Sequence, residues 1–173
     1  MNKRGYTLVE TLVVIGLFTV ISFFVVQFFL GALTGRAKAA AHIEVQEQAR
    51  AAAHWITHEL RQANALLPTS DFGVDLAVTP GASLDVSTSV SGRNPTSFFV
   101  VGGNLQRTYA LNGAVDITSN DVSVTHLIFS NLSSGTGLSK QVRFTITVQK
   151  PDPLGGPNPT SYTLTSTVEL RGY

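Results

Sequence analysis

Hydrophobic positions dominate the start of the chain. Between Thr11 and Gly35 the run TLVVIGLFTVISFFVVQFFLGALTG contains no charged residue. At about 1.5 Å per residue, such a segment as a helix is long enough to cross a bilayer core of about 30 Å. After Arg36 the pattern changes to AKAAAHIEVQEQARAAAHWITHELRQANALL, rich in good helix formers. Ala49, Ala53, Ile56, Leu60, Ala63 and Leu67 recur there at spacings of three and four, the signature of one apolar helix face. No proline occurs before Pro68. The pattern therefore predicts one helix from about Tyr6 to Leu67, with a hydrophobic assembly or transmembrane part at 6–35 and an amphipathic continuation at 36–67. A helix of that span is about 90 Å long, too long for a domain of this size to house, so it is expected to project. Pro68 ends it, because proline lacks the amide donor and restricts the residue before it.

The next stretch, 68–96, is rich in Ser, Thr, Gly, Asp and Pro, with short apolar patches at 74–76 and 84–86. It reads as a connecting loop with room for one short strand. From 97 onward the period drops to two. SFFVV (97–101) suits a buried strand, Gly102-Gly103-Asn104 reads as a turn into LQRTYAL, and VSVTHLIF (122–129) is β-branched and apolar. The alternation is clearest in QVRFTITVQ and TSYTLTSTVEL. Val142, Phe144, Ile146 and Val148 face one way in the first, and Tyr162, Leu164, Val168 and Leu170 in the second. The turn-rich PDPLGGPNP between them predicts a hairpin. One packed face and one wet face indicate an antiparallel sheet. The apolar stripe of the second half-helix needs the same cover, so the predicted class is α+β: a long N-terminal helix whose second half lies on an antiparallel β domain at 97–173.

Composition narrows the chemistry. The net charge is +1 and only 13% of residues are charged. Arg93, Arg107, Lys140, Arg143, Lys150 and Arg171 are spread among acids along the chain, so no nucleic-acid partner is expected. With no cysteine there is no disulfide or thiolate chemistry. The apolar run is too long for a cleaved secretory signal and is not closed by a small-residue cleavage site. Lys3 and Arg4 before it are balanced by Arg36 and Lys38 after it, so charge alone sets no orientation. His54 and His58 lie at i and i+4 in HWITHE, but the glutamate follows the second histidine rather than the first. His42 and His126 supply no obvious third ligand. Asp71, Asp75 and Asp85 fall in the polar loop without EF-hand spacing. No metal, no cofactor and no catalytic residue is expected, because neither a nucleophile elbow nor a phosphate-binding loop is present. Trp55 is expected to pack onto the sheet, the alternative being an exposed contact for a neighbouring subunit.

One stretch is more specific. KRGYTLVETLVVIGLF, a basic leader, a glycine, YTLVE and an apolar helix, closely resembles the N-terminus of type IV pilins and type II secretion pseudopilins. The resemblance implies a five-residue leader (1–5), cleavage between Gly5 and Tyr6 by a prepilin peptidase, and N-methylation of Tyr6. Glu10 occupies the family's glutamate position. Cleavage would create a free α-amine, largely protonated near neutral pH, and this amine is a natural partner for an acid in a packed bundle. The plainer reading of Glu10 is an acid snorkelling to the membrane edge. The implied partners are the peptidase, other pilin or pseudopilin subunits, the inner-membrane assembly platform and the membrane itself. The implied location is the cytoplasmic membrane of a bacterium or archaeon, single-pass with the C-terminal domain outside, and then the filament. Major pilins usually kink this helix with a proline and often carry a C-terminal disulfide loop; this chain has neither. QARAAAHWITHELRQANAL and the ending STVELRGY are similar to J-type minor pseudopilins and related minor pilins. These features favour a non-enzymatic minor subunit that initiates or tips the filament. A major pilin, or a pilus-displayed adhesin or DNA-uptake component, is the alternative.

Overall fold

The computed structural model describes residues 7–110, 112–133 and 140–171. One long N-terminal helix is followed by antiparallel β-sheets, an α+β pilin-like fold. The chain divides into two units, residues 1–39 and 40–173. Over its described residues the first unit is helical from Leu8 onward, and every large apolar side chain between Leu8 and Leu33 is exposed.

The helix α1 runs from Leu8 to Gln62. Within the second unit its inward face is built from Ala41, Val45, Ala49, Ala52, Ala53, Ile56 and Leu60, all buried. The alanines keep this face thin, which lets strands approach the helix closely. Polar ties fix its register. Lys150 pairs with Glu44 at 2.5 Å, and Gln48 Oε1 accepts a hydrogen bond from the Ser119 amide at 3.2 Å.

The helix ends five residues before the expected Leu67. Ala63–Leu66 is instead a strand, β1, paired antiparallel with β2 (Leu84–Thr88) through a bulge between Ala63 and Ala65. Helix-type and ladder-type bonds compete here, and the ladder wins because a partner strand is present. Thr88 Oγ1 donates to the Gln62 carbonyl at 3.2 Å, satisfying an orphan acceptor at the helix end. The Leu67 amide donates to the Asp85 carbonyl at 2.9 Å. The one short strand for which the stretch 68–96 had room is β2.

Five strands form one meander in the order β1-β2-β3-β4-β5, where β3 is Thr96–Val101, β4 Asn104–Tyr109 and β5 Val115–Asp116. The expected single sheet is therefore two sheets. The second has the order β6-β7-β8, with β6 at Ser123–Asn131, β7 at Gln141–Lys150 and β8 at Thr160–Glu169. In the β3–β4 hairpin Gly102 and Gly103 both adopt positive φ, 60° and 84°, as a two-residue type I′ turn requires. The Gly103 carbonyl accepts the Val124 amide at 2.7 Å, which ties this hairpin to β6. One core joins helix and sheets: Val45, Ile56 and Leu60 from α1, Leu84, Phe98 and Leu105 from the first sheet, and Leu127, Phe129, Phe144 and Ile146 from the second. Phe129 and Phe144 face each other across β6 and β7 with ring centroids 6.1 Å apart.

Candidate functional site

The N-terminal segment is built around a helix start. Thr7 precedes α1, and its Oγ1 accepts the Glu10 amide at 3.3 Å. This is an N-cap bond to the third residue of the helix. Thr7-Leu8-Val9-Glu10 also has the spacing of a capping box, and an acid in the first turn is favoured by the helix dipole. Glu10 is exposed, and among the described residues no cation pairs with it. Further along, two threonine hydroxyls inside the apolar stretch are satisfied by the helix itself. Thr19 Oγ1 donates to the Ile15 carbonyl at 2.8 Å and Thr34 Oγ1 to Gly31 at 2.9 Å. Bonded back to the helix's own carbonyls, these hydroxyls can enter an apolar medium without being stranded. The expected cleavage pair, Gly5 and Tyr6, lies outside the described residues.

Residues 1–26 match the family model of the prokaryotic N-terminal methylation motif. The chain carries a type IV pilin-like prepilin N-terminus. Such an N-terminus implies processing by a prepilin peptidase and assembly with other pilins, and the helix that follows it is long and apolar enough to cross a membrane. Motif and helix together fit a single-pass membrane anchor and a structural protein. No curated protein and no solved structure gave a significant match to the chain.

Within the second unit, the folded chain assembles a cluster that sequence reading missed. Glu59 is only 3% exposed, and its Oε1 accepts two hydrogen bonds, from Arg107 Nη1 at 3.0 Å and from the Tyr109 hydroxyl at 2.5 Å. Arg93 Nη1 stands at 3.8 Å. Burial raises the Tyr109 hydroxyl above its ordinary pKa, and the bond to the Glu59 carboxylate raises it further. In sequence, Glu59 was simply the acid of HWITHE. Its position in phase with the buried Ile56 and Leu60 was the available signal that it faces inward.

Trp55, expected to pack onto the sheet or to be an exposed contact, combines sheet contact with exposure. It is 42% exposed, and Arg107 of β4 lies over its ring at 4.7 Å. His54 and His58 flank it on the exposed side. Their rings lie 6.4 Å apart and 19° from parallel, and each meets Trp55 nearly edge-on. His58 Nε2 faces the Gln62 side-chain amide at 3.2 Å and His42 Nε2 faces that of Gln46 at 3.4 Å. Among the described residues no three His, Asp or Glu side chains come together.

The loop aspartates do structural work. Asp71 Oδ2 accepts the Ser83 amide at 3.0 Å, and Asp85 Oδ2 accepts the Ser83 hydroxyl at 3.2 Å. Asp75 clips the loop to β6: Oδ1 accepts the Leu127 amide at 2.9 Å and the Ala77 amide at 3.0 Å, while Oδ2 meets His126 Nδ1 at 2.5 Å. Burial pushes the Asp75 carboxyl up, but the Leu127 amide, His126 and the Ala77 amide together outweigh it and hold the group below the usual value.

Proposed function

We propose that this chain is a minor pilin or pseudopilin: a membrane-inserted prepilin that is cleaved between Gly5 and Tyr6, N-methylated on Tyr6, and extracted into a type IV pilus or type II secretion pseudopilus. The observation that carries the reading is the methylation motif at residues 1–26 running directly into a helix whose apolar surface, from Leu8 to Leu33, is wholly uncovered. In the membrane lipid covers that surface; in a filament sister helices do, and exchanging one cover for the other leaves the backbone bonds intact. In this reading Glu10 pairs with the α-amine of a neighbouring subunit and sets the assembly register. Removing one partner of such a buried pair costs about 3–5 kcal/mol. The role in initiation or at the tip is supported by the absence of proline from the apolar helix and by the similarity of the ELRQA and LRG stretches to minor components.

Intact-mass measurement on protein from cells that contain the peptidase tests the first step. Loss of Met1–Gly5 with gain of one methyl group is expected, and retention of the leader would remove the reading. Glu10→Ala is expected to be processed yet poorly incorporated into filaments; incorporation at the wild-type level would remove the pairing. Copy number in purified filaments separates a minor subunit from the major pilin of the shaft.

A further inference from the structure

Arg93 and Arg107 are distant in sequence from Trp55, but the fold stacks them with it. Arg107 lies over the Trp55 ring at 4.7 Å and over the Tyr109 ring at 4.3 Å, and Arg93 lies over the Tyr109 ring at 5.0 Å. Aromatic and cationic groups thus alternate as Trp55, Arg107, Tyr109, Arg93. The acid of the column is Glu59, and its two close bonds go to Arg107 and Tyr109. Arg93, 39% exposed, shares this carboxylate only as a loose ion pair at 3.8 Å, beyond hydrogen-bond reach, and among the described residues it has no second acid. The helix turns beneath it add no competing acid: from Arg50 to Gln62 the only one is the buried Glu59, while His54, His58 and Arg61 are exposed. On the sheet, Asp116 is bonded to Gln106, whose side chain points to the opposite face of β4 from that of Arg107.

We infer that this column is a docking site for a carboxylate-bearing segment of another protein subunit. Only the setting of that partner in a filament rests on the proposed function; the recognition chemistry does not. Tryptophan, tyrosine and arginine are the side chains that dominate protein–protein binding energy. Here mutual stacking and Glu59 hold them in place, so little freedom remains to be lost on binding. A partner carboxylate would give Arg93 the charge-assisted bonds that Glu59 does not. Stacking of nucleic-acid bases is disfavoured by the same geometry. The Tyr109 ring already carries two guanidinium groups and Trp55 carries Arg107, so a base would have to compete with them for the rings.

The test uses the full-length chain in detergent micelles and a dansyl-labelled octaglutamate peptide. Trp55 is the only tryptophan, so energy transfer from it reports a peptide seated at the column. Saturable transfer at low salt is expected. Arg93→Glu should weaken it about tenfold or more, whereas Arg143→Glu, the same charge change on the exposed face of β7, should leave it unchanged. Arg93→Gln should fall between Arg93→Glu and wild type, and unaltered circular dichroism of each variant excludes misfolding. Absence of transfer, equal weakening by the two charge reversals, or tighter binding of a dansyl-labelled oligothymidylate would each overturn the inference. Because the assay needs no filament, a retained leader in the mass measurement and a failed titration are separate results.

Discussion

Glu59→Ala tests the physical account of the second unit most sharply. The substitution removes the one close acceptor that Arg107, 12% exposed, has among the described residues. Breaking a buried pair in this way costs about 3–5 kcal/mol, mainly by stranding the remaining charge. The contribution of Arg93 is smaller, because an exposed charge at 3.8 Å is screened and contributes about 1 kcal/mol at most. Arg107 keeps its stacking on Trp55 and Tyr109, which softens the loss by about 0.5–1 kcal/mol. The expected net cost is therefore about 3 kcal/mol. For a unit the size of residues 40–173, about 4 °C of melting temperature corresponds to each kcal/mol, so the midpoint should fall by about 12 °C. Melting of the full chain in micelles, followed by circular dichroism and Trp55 fluorescence, measures it. Glu59→Gln keeps an acceptor oxygen and should lose about half as much. Adding Arg107→Met to Glu59→Ala removes the stranded charge and should recover much of the loss. A Glu59→Ala midpoint within about 2 °C of wild type, or a double variant less stable than the sum of its parts, would refute the reasoning.

Other outcomes follow from the same contacts. Because the folded state holds the Asp75 carboxyl below its usual pKa, its contribution is present above the unfolded value and is lost as pH falls through the folded one. Urea unfolding should therefore show wild type losing more stability than Asp75→Asn between about pH 5 and pH 3, with Asp75→Asn the less stable at neutral pH. Phe129→Ala empties a fully buried site against Phe144 and should cost about 3–5 kcal/mol in the same assay. Gly103→Ala should cost more than about 1 kcal/mol, because φ is +84° and a Cβ there would run into the Ser123 hydroxyl. Ser123→Ala in that background should relieve the steric part alone.

The features legible in the sequence share one property: the signal and its cause lie in the same short stretch. The methylation motif at residues 1–26 and the apolar helix it overlaps lie in one contiguous stretch. The stripe Ala49, Ala53, Ile56 and Leu60 follows from helix period, and all four residues are buried. Alternation in 141–149 and 160–170 predicted the hairpin that β7 and β8 form, because each strand's own side chains record which face is packed.

What only the tertiary structure decided depends on partners far along the chain. The helix stops at Gln62 because β2 offers Ala63–Leu66 a ladder, and no residue within 63–66 announces that offer. The division into two sheets rests on which strand edges meet, a matter of register and twist rather than pattern. Glu59 finds Arg107 and Tyr109 at separations of 48 and 50 residues. Read along the chain, those arginines were scattered charges that gave no reason to expect a binding surface. Folding concentrates them, because a buried carboxylate must gather cations and donors from whatever strands pass it. The local sequence thus determined the anchor and the periodic elements, while the assembly of charge around Trp55 was set by tertiary contact alone.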